Sequence, residues 1–258
     1  MSMTENNTQR QKARLQKMKC WDKFDFIGVS AFTGQLDRMP GLKAELKRVG
    51  LSERELTWFW GTPSPYDDFL AQHLPVKRIL ATRIAYLSLT LAHLRMVKTA
   101  YKLGAEHALF IENDIRFLND LEHLKQVVDG VPDGYDIALF DWVLRINWRE
   151  GDVDIEGGAF PDEVNWVPFK DLRSCALYAL SRRGMAAFVA AMENPARGLG
   201  KLKICDQYWP FIIADYGLKA YAAYPLACVQ GVGGGASDHD SMWERYGVFG
   251  TKREDYHA

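Results

Sequence analysis

The sequence predicts an α/β fold: a single Rossmann-like domain whose mostly parallel sheet is flanked by helices. Three observations lead there. β-rich runs alternate along the chain with helical patterns of roughly 10–18 residues, the rhythm of parallel strands covered on both faces. The 258 residues are 48% apolar and 25% charged, enough to bury a sizeable core and to exclude wholesale disorder. No internal repeat appears, and no linker is long enough to divide the chain into two domains.

In order, residues 1–22 read as a basic N-terminal tail, with Arg10, Lys12, Arg14, Lys17 and Lys19 against the single acid Glu5 in its first twenty positions. The plain reading is a solvated terminus; the alternative is an arm that makes peripheral contact with an anionic membrane. The body spans residues 23–240, and a charged, aromatic tail follows over 241–258. Phe24–Ser30 is a β-rich run. Pro40–Gly50 is a helix, with Leu42, Leu46 and Val49 at helical spacing and Gly50 as its stop. Glu55–Trp60 reads as a strand. Thr62–Pro75, with three prolines and the pair Asp67–Asp68, reads as a loop or lid. Ala85–Leu103 is a long helix ending at Gly104. His107–Ile111 is an apolar strand, and Asn119 is placed to cap a helix over Asp120–Val128. Tyr135–Phe140 is a strand and residues 145–167 are irregular. Ser174–Leu180 is a strand, and Ser181 caps the helix Arg182–Met192. A loop covers Asn194–Lys203, a helix covers Asp206–Tyr216, and short strands at Ala220–Tyr224 and Ala227–Val229 close the body.

Charge and composition exclude several function classes. Thirty-two Lys and Arg face 33 Asp and Glu, a net charge of −1, so there is no general electrostatic case for a nucleic-acid partner. No apolar stretch reaches the roughly 18 residues of a membrane span, and no secretory signal is visible. The four cysteines Cys20, Cys175, Cys205 and Cys228 have no close pairs, which fits reduced thiols in a cytoplasmic protein better than a disulfide framework.

In sheets of this class, ligands bind at the carboxyl ends of strands, near a change of strand order. That expectation selects Ser30, Glu112–Asp114, Asp141 and Trp142. The strongest local signal is HALFIENDIRF, residues 107–117, where an apolar strand delivers Glu112 and Asp114 with one residue between them. Residues two apart in an extended chain point to the same side. Two carboxylates on one side repel unless a cation lies between them, and oxygen ligands at this density suit Mg²⁺ or Mn²⁺. An acidic strand-to-loop turn is the structural alternative. Asp141 and Trp142 form a second pair, an acid beside an aromatic, suited to holding a sugar ring. His239, after the Gly-rich run that begins at Gly231, reads either as a third metal ligand or as a surface loop residue.

Residues 87–117, LSLTLAHLRMVKTAYKLGAEHALFIENDIRF, resemble glycosyltransferase family 25, the lipooligosaccharide and collagen galactosyltransferase group. That family shows a Ser-His dipeptide in a helix, a short spacer, and an apolar strand ending in Glu-Asp-Asp. Here Ala92-His93 and Glu112-Asn113-Asp114 hold those places. The later order is similar too: SCALYALSRRGMAAF, then Asp206 before a helix, then Tyr221, Pro225 and Gln230, then Ser237-Asp238. The opening segment QLDRMPGLKAELKRVGL resembles the family's Leu-Asp-Arg helix without its second Arg. Asn113 removes one negative charge but keeps the two alternate carboxylates; Ala92 removes a hydroxyl.

The resemblance implies a GT-A-type fold, a nucleotide-sugar donor (a UDP-sugar first), a glycan or glycolipid acceptor, and Mn²⁺ or Mg²⁺ at Glu112 and Asp114. Ser30 and Trp142, chosen by their place at strand ends, and His93 and Asn113, which stand in the matched motifs, are expected on the donor side, with a core histidine as the alternative for His93. Direct displacement with inversion would need a base; Asp206 matches the family's Asp in chain order, with helix capping as its alternative, and Asp141 stands second. The implied location is cytoplasmic, including the inner face of the membrane. Two rivals remain. A nucleotidyltransferase would want a Gly- and Lys/Arg-rich loop after the first strand, where VSAFTGQLDR offers one of each. A non-catalytic nucleotide- or carbohydrate-binding protein would explain Asn113.

Overall fold

The computed structural model of the protein describes residues 21–32, 36, 38–52, 55–61, 78–118, 121–141, 165–170, 172, 174–194, 205–224 and 226–230. Their elements are, in order, β1 (Phe26–Phe32), α1 (Met39–Arg48), β2 (Thr57–Gly61), α2 (Arg78–Lys102), β3 (His107–Ile111), β4 (Ile115–Phe117), α3 (Leu121–Asp129), β5 (Ile137–Leu139), β6 (Asn165–Pro168), β7 (Leu177–Ser181) and α4 (Arg182–Glu193). A 3₁₀ turn (Cys205–Tyr208), α5 (Trp209–Tyr216), β8 (Ala220–Tyr224) and β9 (Cys228–Gln230) complete them.

Seven strands form one sheet in the order β2-β1-β3-β7-β5-β8-β6, and β4 pairs with β9 in a separate ribbon. The sheet is mixed. Pairs β1–β2, β1–β3 and β5–β8 are parallel, whereas β3–β7, β5–β7 and β6–β8 are antiparallel. The expected mostly parallel sheet is corrected here for a physical reason. An apolar run reports that both faces of a strand are covered, and says nothing about its direction.

Each strand feeds two cores. In β3, Leu109 and Ile111 join the layer under α1 and α3, where Leu42, Leu46, Leu124 and Val127 pack. Ala108 and Phe110 face the other layer, built with Met96 and Val97 of α2, Phe188 of α4 and Trp209 and Ile212 of α5. This alternation is the period of two, buried on both sides. Trp21, assigned by sequence to the tail, is buried in the first core and donates its indole N–H to the Val49 carbonyl at 2.8 Å.

Local signals set the helix ends. Ser181 caps α4, its hydroxyl oxygen accepting from the Gly184 amide at 3.1 Å. Gly217 ends α5 in the left-handed conformation, φ +59°. The strand predicted at 55–60 starts at Thr57, and the long helix begins at Arg78 rather than Ala85. Within the stretch read as irregular, Asn165–Pro168 pairs with β8 as a strand. The proposed lid Thr62–Pro75, the cap Asn119 and the segment after Gln230 lie outside the described residues.

The start of α4 approaches the sheet so closely that a Cβ at Gly184 would stand 2.1 Å from the Asp136 carbonyl oxygen. That oxygen accepts from the Ser181 amide, so it cannot retreat without breaking the β5–β7 edge. Gly184→Ala should lower stability by about 3 kcal/mol, read as a shifted urea midpoint with an unchanged slope. An unshifted midpoint would show that the helix slides at no cost.

Candidate functional site

Chain order places a switch point at β1. The chain leaves β1 for β2 on one side and returns through α2 to β3 on the other. The carboxyl ends of β1 and β3 are therefore neighbours, with Val29 in register with Ile111. Clefts at such points bind ligands because the two crossovers diverge there. Glu112-Asn113-Asp114 lies immediately beyond β3 and turns the chain into β4.

Hydrogen bonds hold that turn on several sides. The Glu112 amide donates to the Ala176 carbonyl at 2.8 Å, joining it to the strand next door. Beyond the turn, β4 pairs with β9, Ile115 opposite Gln230. Helix α1 grips β4 as well: Arg48 Nη2 donates to the Phe117 carbonyl at 2.7 Å, and the Phe117 amide donates to Glu45 Oε2 at 3.3 Å.

Asp141 joins from β5, two strands away. The link is the antiparallel β7 between them. Ser174 donates its hydroxyl to Asp141 Oδ2, and the Leu177 amide donates to Asp141 Oδ1 at 2.9 Å. Burial pushes the Asp141 carboxyl up to about 7; the hydrogen bonds from Ser174 and Leu177 oppose that rise, and the charges of Glu112 and Asp114 add to it. Asp114 is likewise pushed up to about 7, by burial first and then by Glu112, with Arg38 opposing. Its Oδ1 is buried and has no hydrogen-bond partner among the described residues, while its Oδ2 lies 3.7 Å from Arg38 Nη1. The buried Cys228 thiol is pushed well up by desolvation and by Asp141, Asp114 and Glu112 in turn. The charge of Glu112 thus reaches Asp114 and Asp141, and that of Asp114 reaches Asp141, across one sheet edge.

Of the residues selected from sequence, Glu112, Asn113, Asp114 and Asp141 come together here. Asn113 is buried between its two carboxylate neighbours in the chain. His93 is fully buried, with Nε2 2.8 Å from Glu112 Oε1 and Nδ1 2.9 Å from the Tyr178 hydroxyl. Both ring nitrogens are engaged inside the protein, one of them by the acidic motif. Ser30 is also fully buried, its hydroxyl 3.5 Å from the Ile111 carbonyl, and faces the strand next door rather than a cleft. Asp206 opens the 3₁₀ turn. It does not cap α5, which starts at Trp209 with Tyr208 at its cap and no side-chain cap bond. Trp142 and His239 lie outside the described residues. Arg38, Ser174 and Tyr178 were not selected from sequence. Arg38 stands in the Leu-Asp-Arg segment already noted, which was the one available signal; Ser174 and Tyr178 look like ordinary strand residues.

The donor chemistry fits a hard divalent cation. Such ions take carboxylate oxygens and keep places for water and phosphate. Among the described residues no three His, Cys, Asp or Glu side chains converge as a ready ligand set. Any cation here would rely on few protein oxygens, the unpartnered Asp114 Oδ1 first.

No family model matches the sequence, and no curated protein matches it significantly. Solved structures align along most of its length at low identity. A CMP:2-keto-3-deoxy-manno-octonic acid synthetase complexed with CTP is 12% identical with a TM-score of 0.41, covering 85% of this chain and 95% of that one. A mannose-1-phosphate geranyltransferase from Thermus thermophilus is 14% identical with a TM-score of 0.35, covering 78% and 73%. Mouse xyloside xylosyltransferase 1, in its apo form, is 10% identical with a TM-score of 0.34, covering 76% of each.

The raised Asp141 carboxyl has a consequence for stability. Between the ordinary carboxylate range near 4 and about 7, the folded protein holds a proton that the unfolded chain has released. Unfolding free energy therefore falls as pH rises through that window. Asp141→Asn removes the ionisation while its amide still donates to Ser174 and accepts from Leu177. Urea midpoints without metal should fall less between pH 5 and pH 8 for Asp141→Asn than for the wild type. Parallel pH profiles would place the titration elsewhere.

Proposed function

We propose that the protein is a metal-assisted glycosyltransferase that moves a sugar from a nucleotide donor, a UDP-sugar first, to a hydroxyl of a glycan or glycolipid acceptor. The observation that carries the reading is the acidic edge at the switch point: three neighbouring carboxylates, of which Asp114 has a buried oxygen with no hydrogen-bond partner among the described residues. The resemblance of residues 87–117 to glycosyltransferase family 25 supplies the reaction class.

In this reading Asp114 is the first ligand of Mn²⁺ or Mg²⁺, joined by Glu112 and the proposed His239. When bound, the ion would supply positive charge for the diphosphate as it leaves. Arg38, beside Asp114, offers a second cation to the same phosphates. Trp142 is the proposed platform for the sugar ring, and Ser30 and Asn113 shape the donor side from beneath. Each oxygen of Asp141 accepts a bond, from Ser174 and from the Leu177 amide, which suits it to electrostatics rather than proton abstraction. Asp206, less buried, is the preferred base for the acceptor hydroxyl, and direct displacement with inversion is the proposed outcome.

Calorimetry with UDP, with and without Mn²⁺, tests the reading. The wild type should bind UDP in a Mn²⁺-dependent way, and Asp114→Asn should lose that dependence while Asn113→Asp keeps or strengthens it. Tighter binding of a nucleoside triphosphate than of UDP, with no release of sugar from any donor, would favour nucleotidyl transfer. Metal-dependent UDP binding without turnover on any acceptor would favour a binding protein.

Asp206→Asn should fold and bind UDP as the wild type does, yet transfer sugar at least about a hundredfold more slowly in single-turnover assays. A near-wild-type rate would remove Asp206 from the chemistry.

A further inference from the structure

We propose that Tyr178 and His93 form a buried positioning relay that fixes the carboxylate of Glu112 for metal and nucleotide binding; the proposal rests on the glycosyltransferase reading above. The three residues come from three elements. Tyr178 stands in β7, His93 in α2, and Glu112 just past the end of β3. Tyr178 and His93 have no solvent exposure, and Glu112 has little. A buried hydroxyl and a buried imidazole each need partners, and here each partners the other, with the carboxylate as the next link.

Donor and acceptor bookkeeping sets the direction of the relay. In the proposed relay Glu112 is the acceptor, so that His93 Nε2 carries the hydrogen and donates to Oε1. In the neutral ring Nδ1 is then the acceptor, and the Tyr178 hydroxyl donates to it. The far end is anchored by packing. The Tyr178 ring stacks on Phe110 at 5.0 Å and meets Trp209 edge-on at 5.4 Å, so the hydroxyl is held by the core of the sheet. One oxygen of Glu112 is thereby tied to rigid elements rather than to the loop that carries it. His93 and Tyr178 touch neither substrate nor metal in this scheme; they are positioning residues. Partners of this kind behind a ligating carboxylate matter by about 10–100-fold in metal affinity.

The test measures Mn²⁺ affinity by calorimetry in the presence of UDP, with thermal unfolding as the control for folding. His93→Ala should weaken Mn²⁺ by about 10–100-fold. His93→Gln should restore most of that loss, because its amide can donate to Glu112 and accept from Tyr178. Tyr178→Phe, which deletes only the hydroxyl, should weaken Mn²⁺ to a smaller extent, and it carries the test if His93→Ala does not fold. The ¹⁵N spectrum of the wild-type imidazole should show the Nε2-protonated tautomer. A folded His93→Ala or Tyr178→Phe variant with wild-type Mn²⁺ affinity overturns the relay, as does an Nδ1-protonated ring or a His93→Gln variant as weak as His93→Ala. A wild type that binds no Mn²⁺ with UDP overturns the glycosyltransferase reading itself, and the relay with it.

Discussion

Carboxylates that share a dry sheet edge are the constraint around which this structure is arranged. Burial disfavours the charged forms of Asp114 and Asp141; the charge of Glu112 adds to the rise at both, and that of Asp114 to the rise at Asp141. Such a cluster survives only where the backbone around it is firmly held. Here it is: β3, β5 and β7 meet beneath the acids, the β4–β9 ribbon closes one side, and α1 clamps β4 through Arg48 and Glu45. The fold keeps the acids near one another against their repulsion. Among the described residues Arg38 is the cation paired with Asp114.

The antiparallel β7 is what converts two separate strand ends into one site. With parallel β3 and β5 alone as neighbours, Glu112 and Asp141 would each stand at the mouth of its own strand. Inserting β7 in the opposite direction brings its entry segment, residues 174–177, to that same edge. The Ala176 carbonyl then receives the Glu112 amide, while Ser174 and the Leu177 amide take hold of Asp141. Trp209, at the start of α5, donates to the Ser174 carbonyl at 2.9 Å, so the segment is tied to the second core as well. The same strand contributes Tyr178, which makes β7 the element from which both Asp141 and His93 are held.

Much of this was legible in the residues. HALFI is a strand because five apolar or half-apolar residues in a row, followed by acids, have no helical period to follow, and its ends match the expectation at both residues. Ser181 declared its helix by cap chemistry, and Gly217 ended another because it accepts the left-handed turn. The acidic motif was legible because two carboxylates at alternate strand positions need an explanation. Strand direction was not, because burial patterns are blind to it. Nor were β4 and β9, three residues each, whose pairing across more than a hundred positions leaves no local trace. Ser174 and Tyr178 escaped for the same reason: their partners, Asp141 and His93, lie 33 and 85 residues away in sequence. The helical pattern around His93 showed a histidine among apolar residues, but not what its ring meets.

Why a divalent ion suits this edge better than another arginine follows from geometry and charge. A guanidinium is a broad, singly charged plane that pairs best with one carboxylate in a two-point contact. At 3.7 Å from Asp114 Oδ2, Arg38 makes a single, long contact and leaves Oδ1 buried without a partner. A compact dication concentrates twice the charge and can accept oxygens from more than one carboxylate. In the proposed reading its remaining coordination places would be open to phosphate oxygens. Without the ion, the remaining way to relieve repulsion is a proton, which is the state the raised carboxyls of Asp114 and Asp141 express near neutrality. In the proposed reading proton and metal would compete for the same oxygens, so a rise in pH through about 7 would free the acids for the cation.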